Sequence, residues 1–152
     1  MFEDKIKQMG IIIPEVVKPL ATYIPAMQVG NLVMTSGQVP ISEGKVKYLG
    51  KVGSDLSEEE GKEAAKLCAL NCLSAVKSVL GSLDKIKRVV KLTVFVSSAE
   101  GFTAQPKIAN GASEFIGEIF GDAGKHVRSA VGVSELPLNS AVEIEMIVEI
   151  QS

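Results

Sequence analysis

One arginine and two glutamates interrupt apolar sequence near the end of the chain. Arg128 lies within residues 127–133, and Glu143 and Glu145 alternate with apolar residues in 142–146. Period-two alternation predicts two β-strands. A guanidinium can hold a carboxylate through two parallel hydrogen bonds, so Arg128 is the first candidate to bind a carboxylate-bearing small molecule. The alternative is a structural ion pair between Arg128 and Glu143 or Glu145.

Each of these strands divides its residues between two faces. In the last strand, the even positions from Val142 to Ile150 are apolar and predict the core face, whereas Glu143 and Glu145 share the other face. In the preceding strand, one face carries Val127, Ser129, Val131 and Val133, and the other carries Arg128, Ala130 and Gly132. We expect the helices on the apolar face of the sheet and Arg128 on the opposite face, where a second subunit would cover it.

The remaining elements can be placed by their caps and periodicity. Ser57 and Glu60 form a capping box that starts a helix running to about Leu80, and a second helix is predicted from about Ala104 to Phe120. Strands are predicted at residues 26–29, 32–35 and 89–96, a short helix at 2–9, extended chain at 11–25 and a loop at 42–53. The order β-β-α-β-α-β-β predicts an α+β fold, with two helices on one face of a mixed sheet.

Length and composition narrow the function classes. At 152 residues the chain is one domain, and a hydrophobic content of 46% favours an oligomer that hides part of its surface. The net charge of −2 without a basic block argues against nucleic acid, and no apolar run is long enough for a membrane helix. Cys68 and Cys72 are predicted to be core residues. A single histidine provides no metal set, and we expect a cytoplasmic setting.

A set of ordered motifs resembles one known family. The set comprises Tyr23 followed by residues 29–33, 36–40, 93–96, 115–121, 128–131, 136–137 and 142–145. It resembles the reactive-intermediate deaminases, RidA or YjgF, formerly named L-PSP endoribonucleases. The resemblance implies a chorismate-mutase-like fold in one domain, 1–152, with residues 1–22 as an N-terminal extension. It also implies a homotrimer with ligand sites in the clefts between subunits.

The resemblance further implies an activity and roles for individual residues. The activity is the hydrolysis of 2-imino or enamine acids, of the 2-iminobutanoate and 2-iminopropanoate type, to 2-oxo acids and ammonia without a cofactor. Arg128 would bind the substrate carboxylate and Glu143 would position the water. The residues expected to line the cleft are Tyr23, Ser36, Gly37 and Ala130, with Gly37 serving geometry more than chemistry.

Several departures from the family pattern leave alternatives open. Pro106 aligns with a frequent asparagine, Ala130 replaces a frequent cysteine, and His126 replaces a proline. His126 is either a proton shuttle or a loop residue without a catalytic role, and Glu145 is a second candidate for the work of Glu143. The same cleft could serve a non-catalytic sensor of small carboxylates. A ribonuclease or translation inhibitor is the weakest alternative.

Overall fold

A five-stranded mixed sheet organises the chain. The computed structural model describes residues 1–19 and 22–152. The helices are α1 (Phe2–Gln8), α2 (Glu58–Leu80) and α3 (Gln105–Phe120); the strands are β1 (Ala26–Val29), β2 (Leu32–Thr35), β3 (Ile41–Ser42), β4 (Lys45–Val46), β5 (Ile86–Ser97), β6 (Val127–Val133) and β7 (Val142–Ile150). The main sheet has the order β1-β2-β7-β5-β6, and only β5 and β6 run parallel. The predicted order of major elements is confirmed. The predicted loop at 42–53, however, contains β4 and the end of β3, which pair as a small hairpin.

Both long helices cover the same face of this sheet, as predicted. Helix α2 contacts β7, and α3 contacts β5 and β6. The capping box forms, because the Ser57 hydroxyl accepts from the Glu60 amide and the Glu60 carboxylate accepts from the Ser57 amide. Cys68 and Cys72 are fully buried core residues, as expected. Burial raises the pKa of the Cys72 thiol to about 12, so this thiol is protonated and unreactive at neutral pH.

The face assigned to Arg128 from the sequence is wrong. The β5–β6 register pairs Arg128 with Leu92 and Ala130 with Val94, and both partners are fully buried beneath the helices. Arg128 therefore points toward α3. The physical reason is that β6 is an edge strand: its small residues face the helix, whereas Val127 and Val131 are 64% and 45% exposed on the opposite side.

The side of the sheet away from the helices is open and partly apolar. Its exposed apolar side chains come from three strands: Met27, Val29, Met34, Val127 and Val131. Glu143 and Glu145 share this open face, as the alternation in β7 predicted, because they pair with Phe95 and Thr93 rather than with the buried residues of β5. An apolar surface that extends across a sheet is typical of a protein–protein interface.

The first residues of the chain are packed against the end of α2. Ile6 is buried, and the Glu3 carboxylate accepts hydrogen bonds from Lys77 Nζ at 2.7 Å and Ser82 Oγ at 2.8 Å. The predicted helix at 2–9 is thus confirmed as α1. Residues 20 and 21, within the predicted extended segment, lie outside the described residues. No helix in the described part of the chain is long and apolar enough to cross a membrane.

Candidate functional site

Arg128 is held by α3 through one nitrogen of its guanidinium. Arg128 Nη1 donates to Asn110 Oδ1 at 2.8 Å and to Ser113 Oγ at 3.1 Å. Across residues 1–19 and 22–152, no ion pair joins Arg128 to a carboxylate. The suggested ion pair with Glu143 or Glu145 is therefore wrong within one protomer. A partly buried cation without a carboxylate partner is suited to binding one from a ligand.

The guanidinium borders an open cavity of about 530 Å³, here called the Arg128 cavity. The cavity is lined by α3, by the turn that follows it and by the start of β6: Ser113, Gly117, Gly121, Asp122, Gly124, Lys125, His126 and Arg128. His126 lies on the same side as Arg128, and its Nε2 is 2.9 Å from Ser113 Oγ. The structure thus brings two of the predicted site residues together, and Ser113 bridges them.

Glu143 belongs to a second cavity, here called the Tyr23 cleft, of about 200 Å³. Backbone hydrogen bonds between Gln38 and Ile144, at 2.8 and 3.0 Å, place the turn at Gly37 beside Glu143. The cleft is lined by Val17, Lys18, Pro19, Tyr23, Pro25, Gly37, Gln38, Val39, Ile41, Pro137, Leu138 and Glu143. Three predicted site residues therefore share one cleft. Residues 17–19 and Leu138 also contribute to its wall, although the sequence patterns did not predict this.

The environment of Glu143 favours its protonated form relative to an ordinary glutamate. Partial burial is the main cause that raises the pKa of Glu143, and the negative charge of Glu145 adds to the effect. Glu145 itself is exposed on the same face of β7. A carboxylate with a raised pKa is a stronger base and can take a proton from water in a milder pH range. The position of Glu145 thus helps to raise the pKa of Glu143.

Gly37 provides the space that Glu143 occupies. A Cβ atom on residue 37 would lie 2.8 Å from both Cδ and Oε2 of Glu143, closer than atoms can approach. The neighbour is the end of a flexible side chain, so a larger residue at position 37 would displace the carboxylate rather than unfold the turn.

If Glu143 takes a proton from water in a catalysed reaction, Gly37→Ala should lower kcat about tenfold or more, because the new methyl group moves the carboxylate, and it should cost about 1 kcal/mol of stability. Steady-state kinetics and thermal unfolding measure the two effects. In a Glu143→Gln background the same substitution should add little to the loss of kcat, since the group that it displaces has already been disabled. Fully additive losses would show that Gly37 acts elsewhere.

The other predicted site residues have less direct positions. The Ser36 hydroxyl donates to the Ile24 carbonyl at 2.6 Å, and the Ser36 amide donates to the Pro25 carbonyl at 2.8 Å. Ser36 therefore fixes the segment that follows Tyr23, and its hydroxyl hydrogen is already used. Tyr23 is 53% exposed at the cleft. Ala130 packs against the core on the Arg128 side of β6 and lines neither cavity.

Arg128 and Glu143 do not meet within one protomer. Arg128 lies on the helix side of the sheet, and Glu143 lies on the open side. The structure consequently contains two separate candidate sites: a cation with free donors in the Arg128 cavity, and a carboxylate with a raised pKa in the Tyr23 cleft. A single small molecule can contact both groups only if they come from different subunits.

The contacts of Arg128 with Asn110 and Ser113 were not predicted from the sequence. Asn110 and Ser113 lie three residues apart on α3, a spacing that places two polar groups on the same side of a helix. This pattern among small residues was a signal that could have been used. Pro106 aligns with the frequent asparagine of the family. In the structure, Asn110, four residues after Pro106, contacts Arg128. Residues 1–19 and 22–152 contain no group of three or more His, Cys, Asp or Glu side chains that could hold a metal ion.

Comparisons with known proteins agree with this architecture. Residues 3–150 match the family described as "YjgF/chorismate_mutase-like, putative endoribonuclease". Protein TCP17 of Trypanosoma cruzi is 40% identical over 148 residues, which are 97% of this chain and 92% of that protein. A 2-iminobutanoate/2-iminopropanoate deaminase of Dermatophagoides farinae is 34% identical over 134 residues, covering 88% and 90% of the two chains.

A solved structure shows the same arrangement of elements. The crystal structure of Atu1372 from Agrobacterium tumefaciens, a protein described as having unknown function, has a TM-score of 0.92 and is 43% identical. The match covers 99% of this chain and 92% of that one. Since the family match spans nearly the whole sequence and the fold agrees, the chain belongs to the YjgF/chorismate mutase-like family.

Proposed function

We propose that this protein hydrolyses small 2-imino acids, and the corresponding enamines, to 2-oxo acids and ammonia. The observation that carries the proposal is Arg128, a partly buried cation that is fixed through Nη1 and has no protein carboxylate among the described residues. The related Dermatophagoides farinae protein, 34% identical, is named for the deamination of 2-iminobutanoate and 2-iminopropanoate. Both substrates carry the carboxylate that Arg128 is suited to hold.

We infer that the complete site lies between subunits of a homotrimer. The open sheet face, with Val127 64% and Val131 45% exposed, supports association with a second copy of the chain. Because β6 is an edge strand, a neighbouring subunit that also covers this edge would bring its Glu143 to the Arg128 cavity. The Tyr23 cleft and the Arg128 cavity would then be two walls of one site.

In this mechanism Arg128 binds the substrate carboxylate and thereby fixes the neighbouring C=N carbon. Two parallel hydrogen bonds set the direction of the substrate as well as its position. The imine carbon would then face the Tyr23 cleft of the adjacent subunit. Tyr23, through its hydroxyl group, is available there to bind water or the imine nitrogen.

Glu143 acts as the general base. Its carboxylate takes a proton from water as the water oxygen bonds to the imine carbon, and the π electrons of C=N move to nitrogen. Glu143 passes that proton to the nitrogen, which gives a neutral carbinolamine. Glu143 then takes the proton of the carbinolamine hydroxyl group and delivers it to the same nitrogen. The C–N bond breaks as the carbonyl of the 2-oxo acid forms, and ammonia leaves. The balance is one imine and one water consumed for each 2-oxo acid and ammonia formed.

The direct test compares the decay of freshly generated 2-iminobutanoate or 2-iminopropanoate with and without the protein. The release of the 2-oxo acid is the measured signal. We expect a concentration-dependent acceleration over spontaneous hydrolysis. Unaccelerated decay of both imines would contradict the proposal. If 2-oxobutanoate still stabilised the protein thermally in an Arg128-dependent way, the same site would be that of a carboxylate sensor.

A further inference from the structure

A chain of hydrogen bonds connects Arg128 to the backbone at the end of α3. Arg128 Nη1 donates to Ser113 Oγ at 3.1 Å, Ser113 Oγ lies 2.9 Å from His126 Nε2, and His126 Nδ1 lies 2.6 Å from the Gly124 carbonyl oxygen. The chain thus runs from the guanidinium through a helix serine and the single histidine to a fixed backbone group.

For a neutral His126 ring, the partners determine the direction of every bond in this chain. The Gly124 carbonyl can only accept, so the proton of a neutral His126 ring is on Nδ1, and Nε2 is left as an acceptor. Ser113 Oγ accepts from Arg128, and its own hydrogen is free to donate to His126 Nε2. A neutral imidazole therefore satisfies all three groups at once, and it fixes the Ser113 oxygen toward Arg128.

Asn110 completes the restraint on the guanidinium. Its Oδ1 accepts the second hydrogen of Arg128 Nη1 at 2.8 Å, so both hydrogens of that nitrogen are used. Among the residues that the structure describes, neither Nε nor Nη2 of Arg128 donates to a protein acceptor. Within the described part of the chain, the edge of the guanidinium left for two parallel hydrogen bonds is the one formed by Nε and Nη2.

We propose that His126 and Ser113 are positioning residues that fix Arg128 so that the substrate carboxylate binds along its Nε–Nη2 edge. This inference rests on the proposed function, since it concerns the same carboxylate. An unrestrained arginine side chain would lose rotamer freedom when the substrate binds, whereas a restrained one is already in place. The effect should appear mainly in substrate affinity, because His126 and Ser113 contact neither the imine carbon nor the water.

Three variants test the positioning role. Ser113→Ala and His126→Phe interrupt the chain, whereas His126→Gln supplies an amide oxygen that can accept from Ser113. We expect the first two to raise KM for the imine, and Ki for the product 2-oxobutanoate, about tenfold with kcat within about twofold of wild type. His126→Gln should recover most of the affinity. The matched control is Ser78→Ala, a helix serine whose hydroxyl donates to the Ala75 carbonyl in α2.

A second readout does not depend on activity. Because the chain contains one histidine, the ¹⁵N NMR spectrum of the imidazole in the full-length protein gives a single ring to assign. We expect the neutral tautomer with the proton on Nδ1. A neutral His126 ring that carries its proton on Nε2 would overturn the proposed direction of these hydrogen bonds. This readout remains available even if a variant used for the kinetic comparison fails to fold.

The two proposals fail in different ways. Unchanged KM and Ki in both Ser113→Ala and His126→Phe, while Arg128→Ala loses activity, would overturn the positioning role and leave the imine hydrolysis intact. Equal loss of kcat and affinity in His126→Phe and His126→Gln would also overturn it, because the acceptor at position 126 would then not matter. Unaccelerated imine decay in the wild type would instead contradict the proposed function itself.

Discussion

Replacing Arg128 by alanine is expected to lower kcat/KM for 2-iminobutanoate about 10²–10³-fold, equivalent to about 3–4 kcal/mol of transition-state binding. The substitution removes the charged donor pair that holds the substrate carboxylate. It also leaves Asn110 and Ser113 without the group to which they bind. Product inhibition by 2-oxobutanoate should disappear with the activity. Steady-state kinetics and inhibition measurements on the same samples test both effects.

Arg128→Lys is the matched control for charge. Lysine keeps the positive charge but has only one side-chain nitrogen. It cannot donate to Asn110 and Ser113 and at the same time form two parallel hydrogen bonds to a carboxylate. We expect most of the loss seen with alanine. Both variants should retain the wild-type oligomeric state and most of its thermal stability. Near-normal turnover by folded Arg128→Ala would contradict the assigned role.

Replacing Glu143 by glutamine is expected to lower kcat about 10²–10³-fold with little change in KM. Glutamine nearly preserves the size of the side chain but cannot accept the proton of the attacking water. The contrast with Arg128→Ala, which weakens substrate binding, separates the two roles. Glu145→Gln should retain most of the activity. A loss in Glu145→Gln as large as that in Glu143→Gln would instead assign the proton transfer to Glu145.

The pH profile gives a second test of Glu143. The base is active when deprotonated, so kcat/KM falls as the pH drops through the pKa of Glu143. Because burial and Glu145 raise that pKa, the fall should occur at higher pH than the usual glutamate value of about 4.5. Glu145→Gln removes the smaller of the two causes and should move the fall to lower pH. An unchanged profile in Glu145→Gln would contradict the coupling.

Local sequence signals predicted most of the elements because they depend on near neighbours. The capping box at Ser57 set the start of α2, and alternation in β7 separated the core residues from Glu143 and Glu145. The short hairpin β3–β4 was missed because two-residue strands have no measurable periodicity. Of the residues in this hairpin, only Ile41 lines the Tyr23 cleft, and none lines the Arg128 cavity.

The sequence of β6 alone does not show on which face of the sheet Arg128 lies. Ala130 and Gly132 share its face, which the sequence pattern places away from the helices, but α3 lies above this face and the small residues leave room for it. Only the pairing with β5 shows which face is buried. Likewise, Arg128 is 18 positions from Asn110 and 15 positions from Ser113 in the sequence. The spacing of these two residues on α3 does not identify the residue that they contact.

The central claim is that Arg128 and Glu143 act in one site across two subunits, and subunit mixing tests it most directly. Arg128→Ala and Glu143→Gln proteins, each nearly inactive, would be mixed in equal amounts, dissociated and reassembled, and mixed trimers would be verified by native mass spectrometry. We predict recovery of about one quarter of the wild-type activity, the random share of sites that combine both intact residues. The control mixes Arg128→Ala with the double variant and should stay inactive. No recovery in verified mixed trimers would contradict the account.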